Sequence, residues 1–343
     1  MEAQLIRILL YIAIVISIYL LYLLLCRRNS YFQLQMTTAP KQEGFVATNY
    51  TLSPINESFA DMPYREYVVK SAFNAAYGTD GRISVANVKK ILTDECARFL
   101  DFEVFEKHDK AVIGYSETYD NTIDSANTEP FLKIMNGVAE NAFASTNGKD
   151  PLFLHFRVKT ESQAVLQEMA ETLTTLFRTK AYADDLKKNT PLRKLMGKVV
   201  LIMDVSPQYA SNYNSVVCAK NAKVCINEVI HVNSNSGDLL STVDTLLVQG
   251  KTNPPRVTKD RRTTVQHWHM TKPDLSASFT GSNTTGFFKL MHDYGVQISL
   301  HHFYKLDDGL KKYKEFFAKH NSAFVPMSAA IAYVSRNGGS ESD

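Results

Sequence analysis

Short apolar runs alternate with helical patterns along the chain from about residue 64 onward. Phe99–Phe105 (FLDFEVF) alternates apolar and polar positions, which predicts a strand with Asp101 and Glu103 on one face. Lys198–Val205 (KVVLIMDV) is almost continuously apolar, as strands buried in parallel sheets are. Glu161–Phe177 repeats its apolar residues at helical spacing, and we predict a helix there.

The same two patterns, alternation for strands and helical spacing for helices, predict the remaining elements. Further strands are predicted at Tyr67–Phe73, Ala111–Tyr115, Leu152–Val158 and Val296–His301, and further helices at Phe131–Phe143, at Gly309–Phe317 and after an N-cap at Ser84. Strand–helix alternation over about 270 residues predicts a parallel α/β fold, either a barrel or a doubly wound sheet. The sequence contains no P-loop and no G-x-G-x-x-G motif, which disfavours the common nucleotide-binding folds.

An uncharged apolar segment near the N-terminus predicts a membrane anchor. Ile8–Cys26 is 19 residues long. A helix needs about 20 apolar residues to cross the hydrocarbon core of a bilayer, and it satisfies its own backbone hydrogen bonds there. A cleaved signal peptide is the alternative, but no small-x-small cleavage site follows, and Arg27 and Arg28 end the run. We therefore predict a retained transmembrane helix.

The basic residues beside this segment predict its orientation. Arg7 precedes the helix, whereas Arg27, Arg28 and, further away, Lys41 follow it. Positive residues are enriched on the cytoplasmic side of membrane proteins, so this bias favours a single-pass protein with a cytoplasmic soluble domain. The difference amounts to one or two charges.

The cysteines and the glycosylation sequons also bear on which side of the membrane the soluble domain occupies. The cysteines are Cys26, Cys96, Cys218 and Cys225. A small loop disulfide between Cys218 and Cys225 would fit an extracytoplasmic domain, but unpaired thiols in a reducing compartment are the favoured interpretation. Three N-x-S/T sequons matter only in the opposite topology; they begin at Asn49, Asn56 and Asn283.

Composition fits a folded domain between polar ends. Apolar residues make up 45% of the 343 residues and charged residues 21%, and 38 basic against 35 acidic residues give a net charge of +3. No basic stripe accompanies this small charge, so nucleic acid is not a predicted partner. We predict an anchor (1–28), a polar tether (29–63), a folded domain (64–333) and a disordered tail (334–343).

Five segments of the folded region carry a family signal. They are VVKSAFNAAYG (Val68–Gly78), ECARFLDFEVFEKHDKAVIGYSET (Glu95–Thr118), DPLFLHFRVKT (Asp150–Thr160), PLRKLMGKVVLIMD (Pro191–Asp204) and the region from KPDLSAS to GVQISLHHF (Lys272–Phe303). In this order they resemble the X-domain of the phosphatidylinositol-specific phospholipase C family. The chain is similar to the divergent members found in large DNA viruses. The resemblance implies a (β/α) TIM-type barrel of the phospholipase C-like type, plus the one N-terminal transmembrane helix.

The resemblance also implies a metal site. Eukaryotic members of this family use calcium, which requires several oxygen ligands. Asn74 matches the family's calcium-binding asparagine, and Asp101 and Glu103 match its two acidic positions with the acid types exchanged. Arg157 stands where a further calcium-binding glutamate is expected, and its positive charge would repel a metal. Arg157 is therefore a candidate for a structural ion pair with either acid.

The catalytic positions implied by the resemblance have also changed. Phe73 occupies the position of the first catalytic histidine, and Glu117 that of the second, with Tyr115 shortly before it. Phenylalanine cannot transfer a proton, and general acid–base groups typically contribute a factor of about 10² to 10⁴ in rate. His155 joins Arg157 and Tyr115 as a residue of the expected pocket.

These observations predict a membrane-anchored phospholipase C-like domain that is catalytically inactive and has no cofactor. Its expected partners are a membrane, with an anionic lipid headgroup or a protein bound at the former active site, in a virion or virus-modified membrane. The alternative is an active phosphodiesterase with an altered site, in which Asp101, Glu103 and Glu117 serve as an acid–base or metal cluster and Ca²⁺ is the cofactor.

Overall fold

The computed structural model describes residues 51–118, 121–205, 224–234, 240–242, 254–260, 262–273, 283 and 286–337. In these residues the strands are β1 (Tyr67–Val69), β2 (Ser71–Ala72), β3 (Phe99–Lys107), β4 (Lys110–Gly114), β5 (Glu129–Pro130), β6 (Leu152–Val158), β7 (Val199–Asp204), β8 (Val232–Ser234), β9 (Leu240–Thr242), β10 (Trp268–Thr271), β11 (Val296–Ser299) and β12 (Phe324–Pro326). The α-helices are α1 (Val85–Thr93), α2 (Phe131–Asn141), α3 (Gln163–Phe177), α4 (Leu192–Leu195), α5 (Ile226–Val229), α6 (Phe287–Tyr294), α7 (Asp308–His320) and α8 (Met327–Asn337). Short 3₁₀ turns cover Glu57–Phe59 and Tyr64–Glu66.

Parallel pairing joins most of the strands into one sheet. The order is β12-β1-β11-β10-β9-β8-β7-β6-β3-β4-β5, and β2 also pairs with β3. All pairs between β1 and β3 along this path are parallel, whereas β12, β4 and β5 join at the two ends in antiparallel fashion. The segment 67–72 contacts both β11 and β3, since Val69 lies opposite Ile298 and Ala72 opposite Leu100. The predicted parallel α/β fold is confirmed.

Period-two alternation separates the two faces of β3 and β6. On the outer face, Phe156 packs against Phe102 and against Phe131 of α2, with ring centroids 6.1 and 5.7 Å apart. On the inner face, Phe99 and Phe153 are stacked with their centroids 6.2 Å apart. The aromatic inner layer excludes water at the amino ends of the strands. The next residues on this inner face are polar, and they form the candidate site.

The predicted helix after Ser84 is confirmed, and Ser84 is its N-cap as predicted. The Ser84 side chain accepts a hydrogen bond from the Asn87 N–H at 3.1 Å, which satisfies one of the unpaired amides of the first turn of α1. Val88, Ile91 and Leu92 are the buried residues of this helix. The sequence therefore specifies both the start of α1 and the face that it buries.

The folded part extends beyond its predicted boundaries at both ends. Residues 51–63, predicted to be a polar tether, lie on the domain, where Leu52 is 1% and Ile55 5% exposed. At the other end, α8 continues to Asn337, past the predicted limit at residue 333. The buried residues of the N-terminal segment are isolated between polar ones, so no period reveals them. We call residues 51–63 the N-terminal strap.

The strap lies against the segment that precedes β6, at the amino end of that strand. The Ile55 N–H donates to Asp150 Oδ1 at 2.8 Å, and the Thr146 hydroxyl donates to the Leu52 carbonyl at 2.9 Å. Asp150 is fully buried by this arrangement. The strap therefore covers a carboxyl group as well as apolar side chains.

The predicted transmembrane helix and the predicted unpaired cysteines have different outcomes. The predicted transmembrane run Ile8–Cys26 lies outside the described residues; among those that are described, no helix combines the length and apolar character that crossing a bilayer requires. Cys96 is a buried free thiol, as expected. Cys225, however, is disulfide-bonded, so the preference for unpaired thiols is wrong for this residue.

The buried carboxyl of Asp150 makes stability depend on pH. Burial raises its pKa to about 7, against the opposing effects of the Ile55 N–H and the Arg98 guanidinium. An aspartate in an unfolded chain has a pKa of about 3.9. The folded state binds this proton more tightly, so the stabilising contribution is complete below a pH of about 4 and is lost as the pH rises to about 7.

We expect Asp150→Asn to be more stable than the wild type at pH 8, because asparagine keeps the Oδ1 acceptor and carries no charge. Between pH 8 and pH 5 the advantage should shrink by about 2–3 kcal/mol, as the wild type takes up its proton. Urea unfolding at the two pH values measures both differences.

Asp61→Asn is the matched control on the strap. Asp61 is exposed, and its hydrogen bond from Arg193 lowers its pKa, so it is ionised in the folded and unfolded chain throughout this interval and the stability difference of this variant from the wild type should stay constant from pH 5 to pH 8. An Asp150→Asn advantage that stays constant from pH 5 to pH 8 would contradict the assignment of the proton to Asp150.

Candidate functional site

Arg157 occupies the inner face of the sheet near the carboxyl end of β6. In the parallel pair of β3 and β6, Glu103 lies opposite Arg157 and Asp101 lies opposite His155. Because facing residues in a parallel pair point to the same side, all four side chains converge inside the sheet. Each of them is fully buried. The strand register alone therefore brings two acids, an imidazole and a guanidinium together.

The Arg157 guanidinium binds all three residues that were predicted as metal ligands. Its Nε and Nη2 donate to the Asp101 carboxylate at 3.0 and 2.8 Å. Its Nη1 donates to Glu103 Oε1 at 2.9 Å, and Nη2 also donates to Asn74 Oδ1 at 2.7 Å. The predicted ion pair is confirmed, and it involves both acids. Asn74 reaches the guanidinium from a left-handed backbone conformation (φ 44°) directly after β2.

Further partners neutralise the two carboxylates. Lys159 Nζ lies 2.9 Å from Glu103 Oε1, and the Ser116 N–H donates to Glu103 Oε2 at 3.0 Å. His155 Nδ1 is 2.7 Å from Asp101 Oδ1. Burial alone would raise the pKa of Asp101, but Arg157 and His155 outweigh it and hold the pKa well below its usual range.

We call Asn74, Asp101, Glu103, His155, Arg157 and Lys159 the Arg157 cluster. His155 also connects it to β8, because its Nε2 lies 3.1 Å from the Ser234 hydroxyl. A neighbouring pair lies at the ends of β7 and β10, where Lys272 Nζ is 2.7 Å from Asp204 Oδ2. Positive and negative groups thus alternate across the carboxyl ends of several strands. We call this end of the sheet its mouth.

An aromatic cover closes over the guanidinium. The Phe73 ring lies 4.4 Å from Arg157 Cζ and is itself 1% exposed. The His302 imidazole stacks on Phe73 at 5.1 Å, and Tyr304 stacks on His302 at 5.0 Å. Burial, with the electrostatic effects of His301 and Lys305, lowers the pKa of His302 to about 4, so this imidazole is neutral at pH 7. Phe73 therefore packs against the cluster at the position where the resemblance implies a catalytic histidine.

A buried asparagine fixes the loop that carries His302. Asn283 Oδ1 accepts the His302 N–H at 2.6 Å. Its Nδ2 donates to the carbonyls of His302 and Lys305 and to Asp307 Oδ1, at 3.0–3.1 Å. All the polar atoms of this side chain are used within the fold, which holds the aromatic cover in place.

The other predicted catalytic residue, Glu117, stands between Ser116 and Thr118, whose backbone groups bond Glu103 and Lys159 of the cluster. Glu117 is half-exposed, and its N–H donates to Asp124 Oδ2 at 2.7 Å. Burial and the Asp124 charge raise the pKa of Glu117. Tyr115 is buried, stacks on Tyr77 at 4.4 Å, and has its pKa raised to about 12 by burial. Within the described part of the chain, no group of three or more His, Cys, Asp or Glu side chains is arranged to hold a metal.

The residues present do not fit a divalent cation. Calcium needs six to eight oxygen ligands, and the oxygens of Asn74, Asp101 and Glu103 already accept hydrogen bonds from a guanidinium. Lys159 adds a second positive charge to Glu103. A metal in this place would meet two fixed cations at short range, which electrostatics strongly disfavours.

Sequence reasoning missed Lys159, Ser234 and the aromatic residues of the loop after β11. Lys159 follows Arg157 by two positions, so the alternation of β6 could have placed it on the same face. Ser234 and His302 carry no such signal, since they reach the cluster from distant parts of the chain.

Comparison with solved structures identifies the architecture. L. pealei PLC21 superposes with a TM-score of 0.56 at 13% identity, and S. officinalis PLC21 with a TM-score of 0.57 at 12% identity. Each alignment covers 78% of this chain and 37% of the other, so the chain spans little more than a third of their length. A calcium-dependent phosphoinositol-specific phospholipase C from a Pseudomonas species gives a TM-score of 0.45 at 12% identity, covering 83% and 100% of the two chains. No family model and no curated protein matches the sequence. The α/β fold is thus similar to that of phospholipase C structures.

Removing the guanidinium should destabilise the domain strongly. In Arg157→Met, Asp101 and Glu103 lose their principal partner while remaining buried. Breaking a buried ion pair from one side typically costs about 3–5 kcal/mol, and we expect a loss of this size in urea unfolding at pH 7.

Arg193→Met is the matched control, because Arg193 pairs with Asp61 at 2.6 Å on the surface. Solvent screens that pair, so this variant should unfold at nearly the wild-type urea concentration. Equal losses in the two variants would contradict the central electrostatic role of Arg157.

Proposed function

We propose that this chain is a membrane-anchored, noncatalytic phospholipase C-like domain that acts by binding. The anchor is the uncharged run Ile8–Cys26, and the setting is a virion or virus-modified membrane, as the resemblance to divergent viral members implies. The fold is a closed (β/α) TIM-type barrel. The parallel pairing of residues 67–72 with both β11 and β3 supports closure, since it joins the two ends of the strand path.

One observation carries the proposal of inactivity. The Arg157 guanidinium takes the oxygens of Asn74, Asp101 and Glu103 that would otherwise be available to a cation. A fixed guanidinium supplies positive charge but cannot offer open coordination positions to a substrate hydroxyl or phosphate, as a catalytic metal does. The cluster therefore stabilises the fold and does not provide the Lewis acid that a bound metal would be.

Phe73 and His302, which cover the cluster, are also unsuited to proton transfer, and the cluster's own imidazole, His155, is fully buried with its ring nitrogens occupied by Asp101 and Ser234. Phe73 has no titratable atom, and its ring is held between Arg157 and His302. His302 is a weak base because burial lowers its pKa to about 4. Efficient general bases have pKa values near the working pH. Glu117 is half-exposed, unlike the fully buried Asp101 and Glu103 with which it would have to act in the altered enzyme.

The test uses the full chain reconstituted into liposomes that contain phosphatidylinositol. Release of water-soluble inositol phosphate is measured with Ca²⁺ and with EDTA, beside an active phospholipase C as positive control. We expect no release above that of protein-free liposomes in either condition. We also expect the melting temperature to be the same with Ca²⁺ and with EDTA, because a cation that binds the folded state would raise it.

Turnover by the wild-type chain that disappears in Glu103→Gln would overturn the proposal and establish the altered enzyme. A melting temperature that rises with Ca²⁺ in the wild type would do the same for the metal site, because Arg157 would then have to leave its ligands.

A further inference from the structure

The disulfide at Cys225 reopens the question of which side of the membrane the folded domain occupies. Disulfides form and persist in oxidising compartments and are rare in the cytosol. Cys225 is disulfide-bonded. The expected cytoplasmic location rested on unpaired thiols and on a difference of one or two charges beside the anchor. The cysteine evidence now points to the extracytoplasmic side, where the sequons become chemically relevant.

The strap presents one of these sequons in an accessible turn. Asn56, Glu57 and Ser58 are all exposed, and Asn56 caps the short 3₁₀ turn Glu57–Phe59. Its Oδ1 accepts the Ser58 N–H at 3.0 Å and the Ser58 hydroxyl at 2.9 Å. Both bonds fall on Oδ1 of this exposed residue and neither uses Nδ2, the atom to which a glycan is attached.

The sequon at Asn283 is the opposite case. Asn283 is 5% exposed, and its Nδ2 donates to His302, Lys305 and Asp307. A glycan on this nitrogen would break those bonds and displace the loop that covers the Arg157 cluster. The folded chain therefore distinguishes two sequons that look equivalent in the sequence. The third, at Asn49, lies outside the described residues.

We propose that the folded domain is extracytoplasmic and that Asn56 carries an N-linked glycan, whereas Asn283 does not. The donor is an oligosaccharide attached to a lipid pyrophosphate. The Asn56 Nδ2 bonds to the first sugar carbon as that carbon's bond to the pyrophosphate oxygen breaks. The lipid pyrophosphate leaves, and one amide proton passes to a base of the glycosyltransferase.

The glycan and the Arg157 cluster would occupy opposite ends of the strands. The strap contacts the segment before β6, at the amino end of that strand, while Arg157 lies near its carboxyl end. A polar, bulky group on the strap therefore shields the amino ends of the strands and leaves the mouth uncovered for a partner.

The full chain, expressed in cultured eukaryotic cells, provides the test. Treatment with peptide:N-glycosidase F should increase its electrophoretic mobility, and mass spectrometry should find Asn56 converted to aspartate. Asn56→Gln and Ser58→Ala should each lose the mobility shift of one glycan. Ser58→Thr preserves the sequon and should keep the wild-type shift, which separates loss of the glycan from loss of the turn.

Thr285→Ala is the matched control for the buried sequon, because it removes the sequon and keeps the Asn283 side chain, and it should leave glycan occupancy unchanged. A wild-type chain insensitive to the glycosidase, or a mobility shift that is as large in Asn56→Gln and Ser58→Ala as in the wild type, would overturn the proposal. Complete digestion of the folded domain by protease added only to the cytoplasmic side of sealed vesicles would overturn the topology independently.

Discussion

A guanidinium buried among two carboxylates and an amide sets the conditions for the interior of this domain. Asp101 and Glu103 lie on adjacent inward positions of one strand, where two unneutralised charges would be prohibitively costly. Arg157 and Lys159 come from the neighbouring strand and restore neutrality, two positive charges against two negative. The register between β3 and β6 is consequently fixed by charge as well as by apolar packing, since a slip of one residue would separate every one of these pairs.

The cluster shares features with a metal centre without being one. A divalent ion gathers oxygen ligands from several strands and holds them in place, and the guanidinium does this for Asn74, Asp101 and Glu103 with directional hydrogen bonds. The difference is that the guanidinium is covalently attached to the chain, whereas a metal ion is not. Arg157 cannot leave, exchange or accept a substrate oxygen, so the positions of its partners do not depend on the supply of an ion. Phe73 completes the separation from water, with its ring 4.4 Å from the guanidinium carbon.

Much of this architecture follows from local patterns in the sequence. Period-two and helical repeats specify β3, β6, β7 and four of the eight α-helices described, and the inward face of β3 identifies Asp101 and Glu103 directly. The pairing of Arg157 with these acids could be anticipated because neighbouring strands of a parallel sheet bring their inward residues together. The strap could not be anticipated, because its buried residues have no period and its main polar partner, Asp150, lies far along the chain. The role of His302 was equally hidden, since only the fold brings the loop after β11 beside Phe73.

The covering ring of Phe73 also has an evolutionary consequence. Its packing depends on the charge below it, and that charge depends on two acids that are buried with it. Replacing Arg157 alone leaves the acids unbalanced, while a histidine in place of Phe73 alone would lie beside a fixed cation that disfavours its protonated form. A change at one of these positions therefore carries a cost that depends on the residues at the others, which is epistasis among buried side chains.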